Sequence, residues 1–295
     1  MRISENSMIQ DFLKNLESAR QRWFGWNQQV STGKKLQKPS DNPADSAHLV
    51  RIQDDFSRTN QYLRNISTAQ SKLGTASSAL NALRNLTITA SEKTIGALTD
   101  TTSQDSRNAI ALELEGILKN IEQVAATSVD GLYIFSGSRV DTVPFTESGG
   151  NYAYQGDDHP SMIEVAQGES IQVSVPGSEV FSDSSSDLLN TMRQLIDQLK
   201  AGDVASAQAT LGDLQDAGKV IDAARFKIST SINQADNINN RLNDHLLDLT
   251  SEVSRLQDAD MAEAISRMAQ SETALNASLG AGAHMQQGSL FDYLG

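Results

Sequence analysis

The chain has 295 residues, no cysteine, 5% aromatic and 38% hydrophobic residues, and a formal net charge of -13. The missing thiols exclude disulfides and thiolate metal sites, and the negative charge disfavours nucleic acid and anionic membrane, because there is no basic field to release counterions. So small an aromatic share suits long thin helices better than a thick globule, no run approaches the roughly 18 apolar residues of a membrane span, and the opening MRISENSMIQDF lacks the apolar core of a cleaved secretory signal.

The first element is organised by Phe12, Leu16, Ala19, Trp23, Trp26 and Val30, which step 4, 3, 4, 3, 4. That spacing predicts a helix built to lie along another helix, and both tryptophans of the protein fall on its seam. Pro39 and Pro43 exclude a continuous helix through Ser31 to Ala47, where Ser40, Asp41, Asn42 and Asp45 are turn and N-cap residues. Ile52, Phe56, Thr59, Leu63, Ile66, Gln70, Leu73, Ser77 and Leu80 then predict a helix of about thirty residues or more. After the turn-rich TDTTSQDS at 99–106, Ile110, Leu114, Ile117, Ile121 and Val124 predict a third helix and an antiparallel hairpin.

Between Gly131 and Asp183 lie three of the five prolines and seven of the nineteen glycines, and the hydrophobic period shifts toward two. Phe145 and Tyr152 to Tyr154 flank a Gly149-Gly150 turn, and Ile171, Val173 and Val175 alternate with polar residues, so a small β-rich insertion is expected. It holds eight acids against Arg139 alone, and this net of -7 predicts the most solvent-exposed part of the protein. Helical texture returns near Ser185: Leu188, Met192, Leu195 and Leu199 run to a Gly202 stop, and a short helix is expected from Asp203 through Leu214. Ile228, Ile232, Ala235, Ile238, Leu242, Leu246, Leu249, Val253 and Leu256 form one long seam. The phase slips at Asp258 to Asp260; Met261, Ile265, Met268, Glu272, Leu275 and Leu279 form another seam, and Gly280 and Gly282 are expected to loosen the helix before an apolar end containing Leu290.

The pattern predicts a mainly α protein in which long coiled-coil-like helices from both termini form an elongated bundle, with a small β-rich domain inserted mid-chain. Residues 1–38 and 260–295 are expected to be paired terminal helices, 39–137 with 184–259 a helical-bundle domain, and 138–183 a β-rich outer domain. The terminal seams have only each other within the chain. Two helices bury little area, so residues 1 to about 35 and about 260 to 295 are expected to be poorly ordered in a free subunit and to fold when neighbouring subunits complete the core. The charges agree: residues 1–38 carry seven bases against three acids, and residues 258–295 carry Arg267 against five acids.

No motif supports catalysis. Ser31 to Lys34 matches a bare S-x-x-K without companion motifs; Asp157, Asp158 and His159 are consecutive, so their side chains diverge as in a solvated turn; His48, His159, His245 and His284 are isolated from one another. No catalytic residue, metal ligand or cofactor site is assigned.

The layout of helical N-terminus, loop, helical hairpin, variable middle and helical C-terminus resembles the flagellin-related axial proteins of the bacterial flagellum. Within that family the loop LQKPSDNPADSA, through Lys38, Pro39, Ser40, Asp41, Asn42, Pro43 and Ala44, is similar to the K-x-S-D-x-P-A segment of the hook-filament junction members. The opening MRIS and Tyr154-Gln155-Gly156 look like the same members, and DGLYIFSG is similar to the family's N-G-x-Y-x-F-x-G segment through Asp130, Gly131, Tyr133, Phe135 and Gly137, with Asp130 in place of Asn. The resemblance implies a non-enzymatic structural adaptor, found outside the cell in the flagellum. It implies export without a cleaved signal through the flagellar type III apparatus with an export chaperone, assembly into a ring of identical subunits, and contacts with the first hook-associated protein and with flagellin. It further implies an assembly seam of Phe12, Leu16, Ala19, Trp23, Trp26, Val30, Ile265, Met268, Leu275, Leu279 and Leu290. A short filament flagellin and an outer-domain adhesin or enzyme on the same scaffold are the alternatives.

Overall fold

The computed structural model describes residues 2–183 and 186–294, with side chains at residue 7, 9–182 and 187–283. The protein is mainly α. Its helices are α1 (Arg2–Thr32), α2 (Pro43–Ala97), α3 (Gln104–Ala125), α4 (Leu188–Ala201), α5 (Val204–Gln257) and α6 (Met261–Leu294). Short polar residues start most of them. Asn42 Oδ1 accepts the Ala44 and Asp45 N–H groups before α2, Ser103 accepts the Ser106 N–H before α3, and Asp187 accepts the Asn190 N–H before α4. Asp203 and Asp260 do the same for Ser206 and Glu263 at the starts of α5 and α6. Gly202 ends α4 in the left-handed conformation at φ +74°.

Among the described residues between α3 and α4 lie four antiparallel hairpins: β1 (Ser128–Val129) with β2 (Leu132–Tyr133), β3 (Phe145–Ser148) with β4 (Asn151–Tyr154), β5 (Met162–Ala166) with β6 (Glu169–Gln172), and β7 (Ser182–Asp183) with β8 (Ser186–Asp187). Gly149 and Gly150, both at positive φ, close β3 onto β4 as the sequence predicts. β6 ends at Gln172, and beyond it Val173, Ser174 and Val175 are all buried, so the alternation read from Ile171 to Val175 does not extend as strand.

Two compact units divide the chain: Met1–Ser57 with Leu246–Gly295, and Arg58–His245, the boundaries falling inside α2 and α5. In the second unit α2 buries Ile66, Leu73, Leu80, Thr87 and Thr94 every seventh residue, with Ala69, Ala76, Leu83, Ala90 and Ala97 three residues after each. Alanines therefore take the places that periodicity assigned to Gln70 and Ser77, which are half-buried. The Thr87 and Thr94 hydroxyls are satisfied within the helix by the Leu83 and Ala90 carbonyls.

α5 is one helix of 54 residues, where a short helix followed by a separate long seam is expected. Gly212 and Gly218 were too weak to break it. Each costs about 1 kcal/mol against alanine, and burial of Leu214, Ala217 and Ile221 on the same helix offsets that.

The hairpins are less free of the helices than a net charge of -7 suggests. Glu147 pairs with Arg193 of α4 (3.0 Å), and Glu179 and Glu169 pair with Lys227 (2.5 Å) and Arg241 (2.6 Å) of α5. Complementary bases on the helices thus hold three of the eight acids. Beneath them Phe181 meets Phe135 and Phe145 edge-on at centroid distances of 5.4 and 5.2 Å, and Phe145 lies 5.2 Å from Tyr154.

Candidate functional site

In the first unit α1 and α6 form an antiparallel pair, tied at one end by backbone hydrogen bonds. The Lys35 N–H donates to the Gln257 carbonyl (2.8 Å) and the Ala259 N–H to the Gly33 carbonyl (2.9 Å), with Gly33 at φ +71°. Towards the other end Phe12 lies against Gly282. Along α1, Ala19 is buried and Phe12, Leu16, Trp23, Trp26 and Val30 are half-buried, while Leu13 and Phe24 on other faces are exposed.

On α6 the covered line differs from the expected one. It runs through Ala264, Met268, Ser271, Leu275, Ser278 and Gly282, again in steps of 4 and 3. Met268 and Leu275 belong to it, but Ile265 and Leu279 are exposed on another face, and the side chain of Leu290 lies outside the described residues. The physical reason is fit: large aromatics on α1 need small partners, and α6 supplies alanine, serine and glycine. α6 runs unbroken through Gly280 and Gly282, so these glycines do not loosen it. A Cβ at Gly282 would stand 2.5 Å from the tip of the Phe12 ring. Gly282→Ala is therefore expected to separate the helices and raise protease cleavage of α1. Adding Phe12→Ala should reverse most of that effect, and a Gly282→Ala chain as resistant as the wild type would refute the contact.

Among the described residues the opposite end charges form no ion pair across this seam. Lys14, Arg20 and Arg22 are exposed on α1, and Arg267 turns to Glu263 of its own helix at 3.5 Å. The Trp23 indole N–H is buried and finds no acceptor among the described residues.

The loop motif Lys38 to Ala44 is an exposed turn. Asp41 closes it by accepting the Lys38 (2.8 Å) and Gln37 (3.1 Å) N–H groups, and these two donors, Lys38 first, hold its carboxyl below the usual carboxylate value. Pro43 takes the first helical position, where its missing N–H costs nothing. Near by, His48 Nε2 lies 3.0 Å from Glu252.

The turn motif lies in the second unit. Asp130 at φ +53° and Gly131 at φ +79° make the two-residue turn between β1 and β2, Tyr133 is half-buried, and Phe135 and Gly137 are buried. The chain after them is pinned by Asp157, which accepts from the hydroxyl of Ser138, from its N–H (2.8 Å) and from the His159 N–H (3.1 Å). The Tyr154 hydroxyl points at the Phe135 and Asp157 carbonyls, 2.9 Å from each, and burial pushes it up to about 12.

The Asp157 side chain is thus engaged in the turn, while Asp158 accepts from Ser178 (2.6 Å). Among the described residues no three His, Asp or Glu side chains are grouped so that they could hold a metal ion. The Ser138 hydroxyl, then its N–H, bring the Asp157 carboxyl from 3.8 to about 2. A depressed folded value means that its contribution is complete above about pH 4 and is lost as pH falls towards 2. Thermal unfolding should show this acid loss, and Asp157→Asn should flatten it. An unchanged acid limb in the variant would remove Asp157 from the explanation.

Residues 3–140 match the bacterial flagellin N-terminal helical region and residues 211–294 the C-terminal helical region, together about three quarters of the chain. The chain belongs to the flagellin-related family. This flagellin-related chain is 26% identical to "Flagellar hook-associated protein 3" of Escherichia coli K12 across 99% of both sequences. Its fold is similar to a putative flagellar hook-associated protein from Vibrio parahaemolyticus (TM-score 0.68, 20% identity, 72% of this chain and 98% of that one). It is also similar to the flagellar junction protein FlgL from Legionella pneumophila (TM-score 0.61, 15% identity, 72% and 100%). The family is structural, not enzymatic.

Two features of the flagellin-related site were not anticipated from sequence: the small-residue line of α6, and the exposed apolar residues Ile9, Leu13 and Phe24 of α1. The first was visible as a period of Ala, Ser and Gly, the second as steps of 4 and 11.

Proposed function

We propose that this chain is the adaptor subunit between flagellar hook and filament. It polymerises through its terminal helices into a ring of identical subunits, seated on the first hook-associated protein and offering the surface on which flagellin polymerises. It reaches this place through the flagellar type III apparatus, accompanied by an export chaperone. The observation that carries the reading is the end-to-end match, over 99% of both chains, with a relative named for hook association.

Residues 1–38 and 260–295 are the assembling part, 39–137 with 184–259 the bundle, and 138–183 the outer domain. Five of the six α1 seam residues are only half-buried, which supports a pair completed by neighbours. The assembly seam is Phe12, Leu16, Ala19, Trp23, Trp26, Val30, Ile265, Met268, Leu275, Leu279 and Leu290. Deleting the gene is expected to leave hooks, abolish filaments and release flagellin into the medium. Filaments composed of this chain itself would reverse the reading in favour of a short flagellin.

A further inference from the structure

Within the second unit α2 and α5 lie antiparallel and in step. Gln70 donates to Asp236 (2.8 Å), Arg225 to Asn81 (2.8 Å) and Arg84 to Asp222 (3.0 Å). Every step forward along α2 between these pairs is matched by an equal step back along α5. At one end a third helix covers the pair. Lys93 is ion-paired with Glu113 of α3, and Arg107 donates to the Ala97 carbonyl (3.1 Å), so the 22 residues of α3 reach back along α2 to about the level of Asn81. Beyond that level, towards Arg58, cover has to come from elsewhere, because two helices alone bury little area.

It comes from the β5–β6 hairpin, which is held on both helices. On one side Asn65 of α2 donates its side-chain N–H to the Glu164 carbonyl of β5 (2.8 Å). On the other, Glu169 of β6 pairs with Arg241 of α5 (2.6 Å). Asn65 stands five residues before Gln70 and Arg241 five after Asp236, so the two tethers are level with each other. A β-bulge fits the hairpin to this position: Glu164 faces Ser170 and Ala166 faces Glu169 across the ladder, which leaves Val165 without a partner. Val165 is fully buried, as is Ile171 of β6, in the same core as Ile66 and Ala69 of α2 and Ile238 and Leu242 of α5.

The apolar layers beneath do not set the register by themselves. Ile66, Leu73 and Leu80 of α2 recur every seven residues, as do Leu214, Ile221 and Ile228 of α5, so a slide of one heptad sets apolar on apolar again. Register is then left to polar contacts. We infer that the β5–β6 hairpin is a strap that holds α2 and α5 together and in step where α3 no longer covers them, tethered through Asn65 on one side and Arg241 on the other and plugged into the core by Val165. The strap is internal to the subunit, so it does not depend on what the chain joins.

Hydrogen exchange read by mass spectrometry on the purified full-length chain tests it. Both tethers lie at the surface, so Asn65→Ala, Arg241→Ala and the double variant should fold as the wild type does. Alanine favours helix at least as well as asparagine or arginine, so faster exchange in these variants does not come from a weaker helix. Each single variant is expected to speed exchange about fivefold or more in both 58–70 and 236–245, because a strap cut at either end no longer bridges. The double variant should add little to that, while 83–97 and 207–221 exchange as in the wild type. Exchanging the pair, Glu169→Arg with Arg241→Glu, should restore protection. If Asn65→Ala loosened α2 alone, Arg241→Ala loosened α5 alone and the double variant summed the two, the contacts would be independent and the strap refuted. Unchanged exchange in all three variants, or an equal rise along the whole of both helices, would refute it as well.

Discussion

Gly137→Ala is expected to destabilise the unit of residues 58–245 by about 3 kcal/mol or more and to lower its melting temperature by at least about 6 °C. Two separate costs combine there. The backbone at Gly137 has φ +68°, a left-handed conformation that costs a residue with a Cβ about 1–2 kcal/mol. The new Cβ would also stand 2.1 Å from the Asp157 carbonyl oxygen and 2.3 Å from Oδ1, so backbone has to move. That movement would disturb the hydrogen bonds by which Asp157 holds Ser138, and the Tyr154 hydroxyl beside them. Gly131 separates the two costs. It has φ +79° but open space where a Cβ would go, so Gly131→Ala should show only the conformational part, about 1–2 kcal/mol. Calorimetry on both variants decides the matter: equal losses would mean that the close approach to Asp157 contributes nothing.

Long elements were readable because their signals repeat. Ile110 to Val124 and Ile228 to Leu256 fall within α3 and α5, and the phase slip at Asp258 to Asp260 is a true break, with Asp260 capping the next helix. What stayed hidden was whatever small residues decide. Periodicity weighs side chains by size, so it passed over Ala69 and Ala76 in α2 and the Ala264 to Gly282 line in α6, where close packing depends on the absence of bulk. Ile265 and Leu279, which size picked out, are exposed about a quarter turn from the line that α1 covers. The hairpins were legible as turns, from Asp130-Gly131 and Gly149-Gly150, but not as a docked layer. Docking depends on pairs such as Glu169 with Arg241, which are 72 residues apart and carry no local signal.

Trp23→Ala combined with Trp26→Ala is expected to release α1 from α6 and to prevent assembly of the subunit. Full truncation of a buried tryptophan costs about 3–5 kcal/mol, and half-burial brings each of these nearer to about 2 kcal/mol. The two are neighbours on one helix face, so their effects should couple and not simply add. Together they remove the two largest side chains of the Phe12–Val30 line, in a two-helix contact with little else to hold it. Rapid proteolysis of α1 in the double variant, with the unit of residues 58–245 melting as in the wild type, is the expected result. Trp23→Phe discriminates packing from polarity. It keeps most of the ring area and deletes an N–H that is buried without an acceptor, a group whose desolvation costs about 1–3 kcal/mol. The free subunit should therefore lose little stability or gain some. Should Trp23→Phe instead assemble poorly while its monomer is as stable as the wild type, the indole N–H finds its acceptor in a neighbouring copy, and Trp23 serves both the pair and the ring.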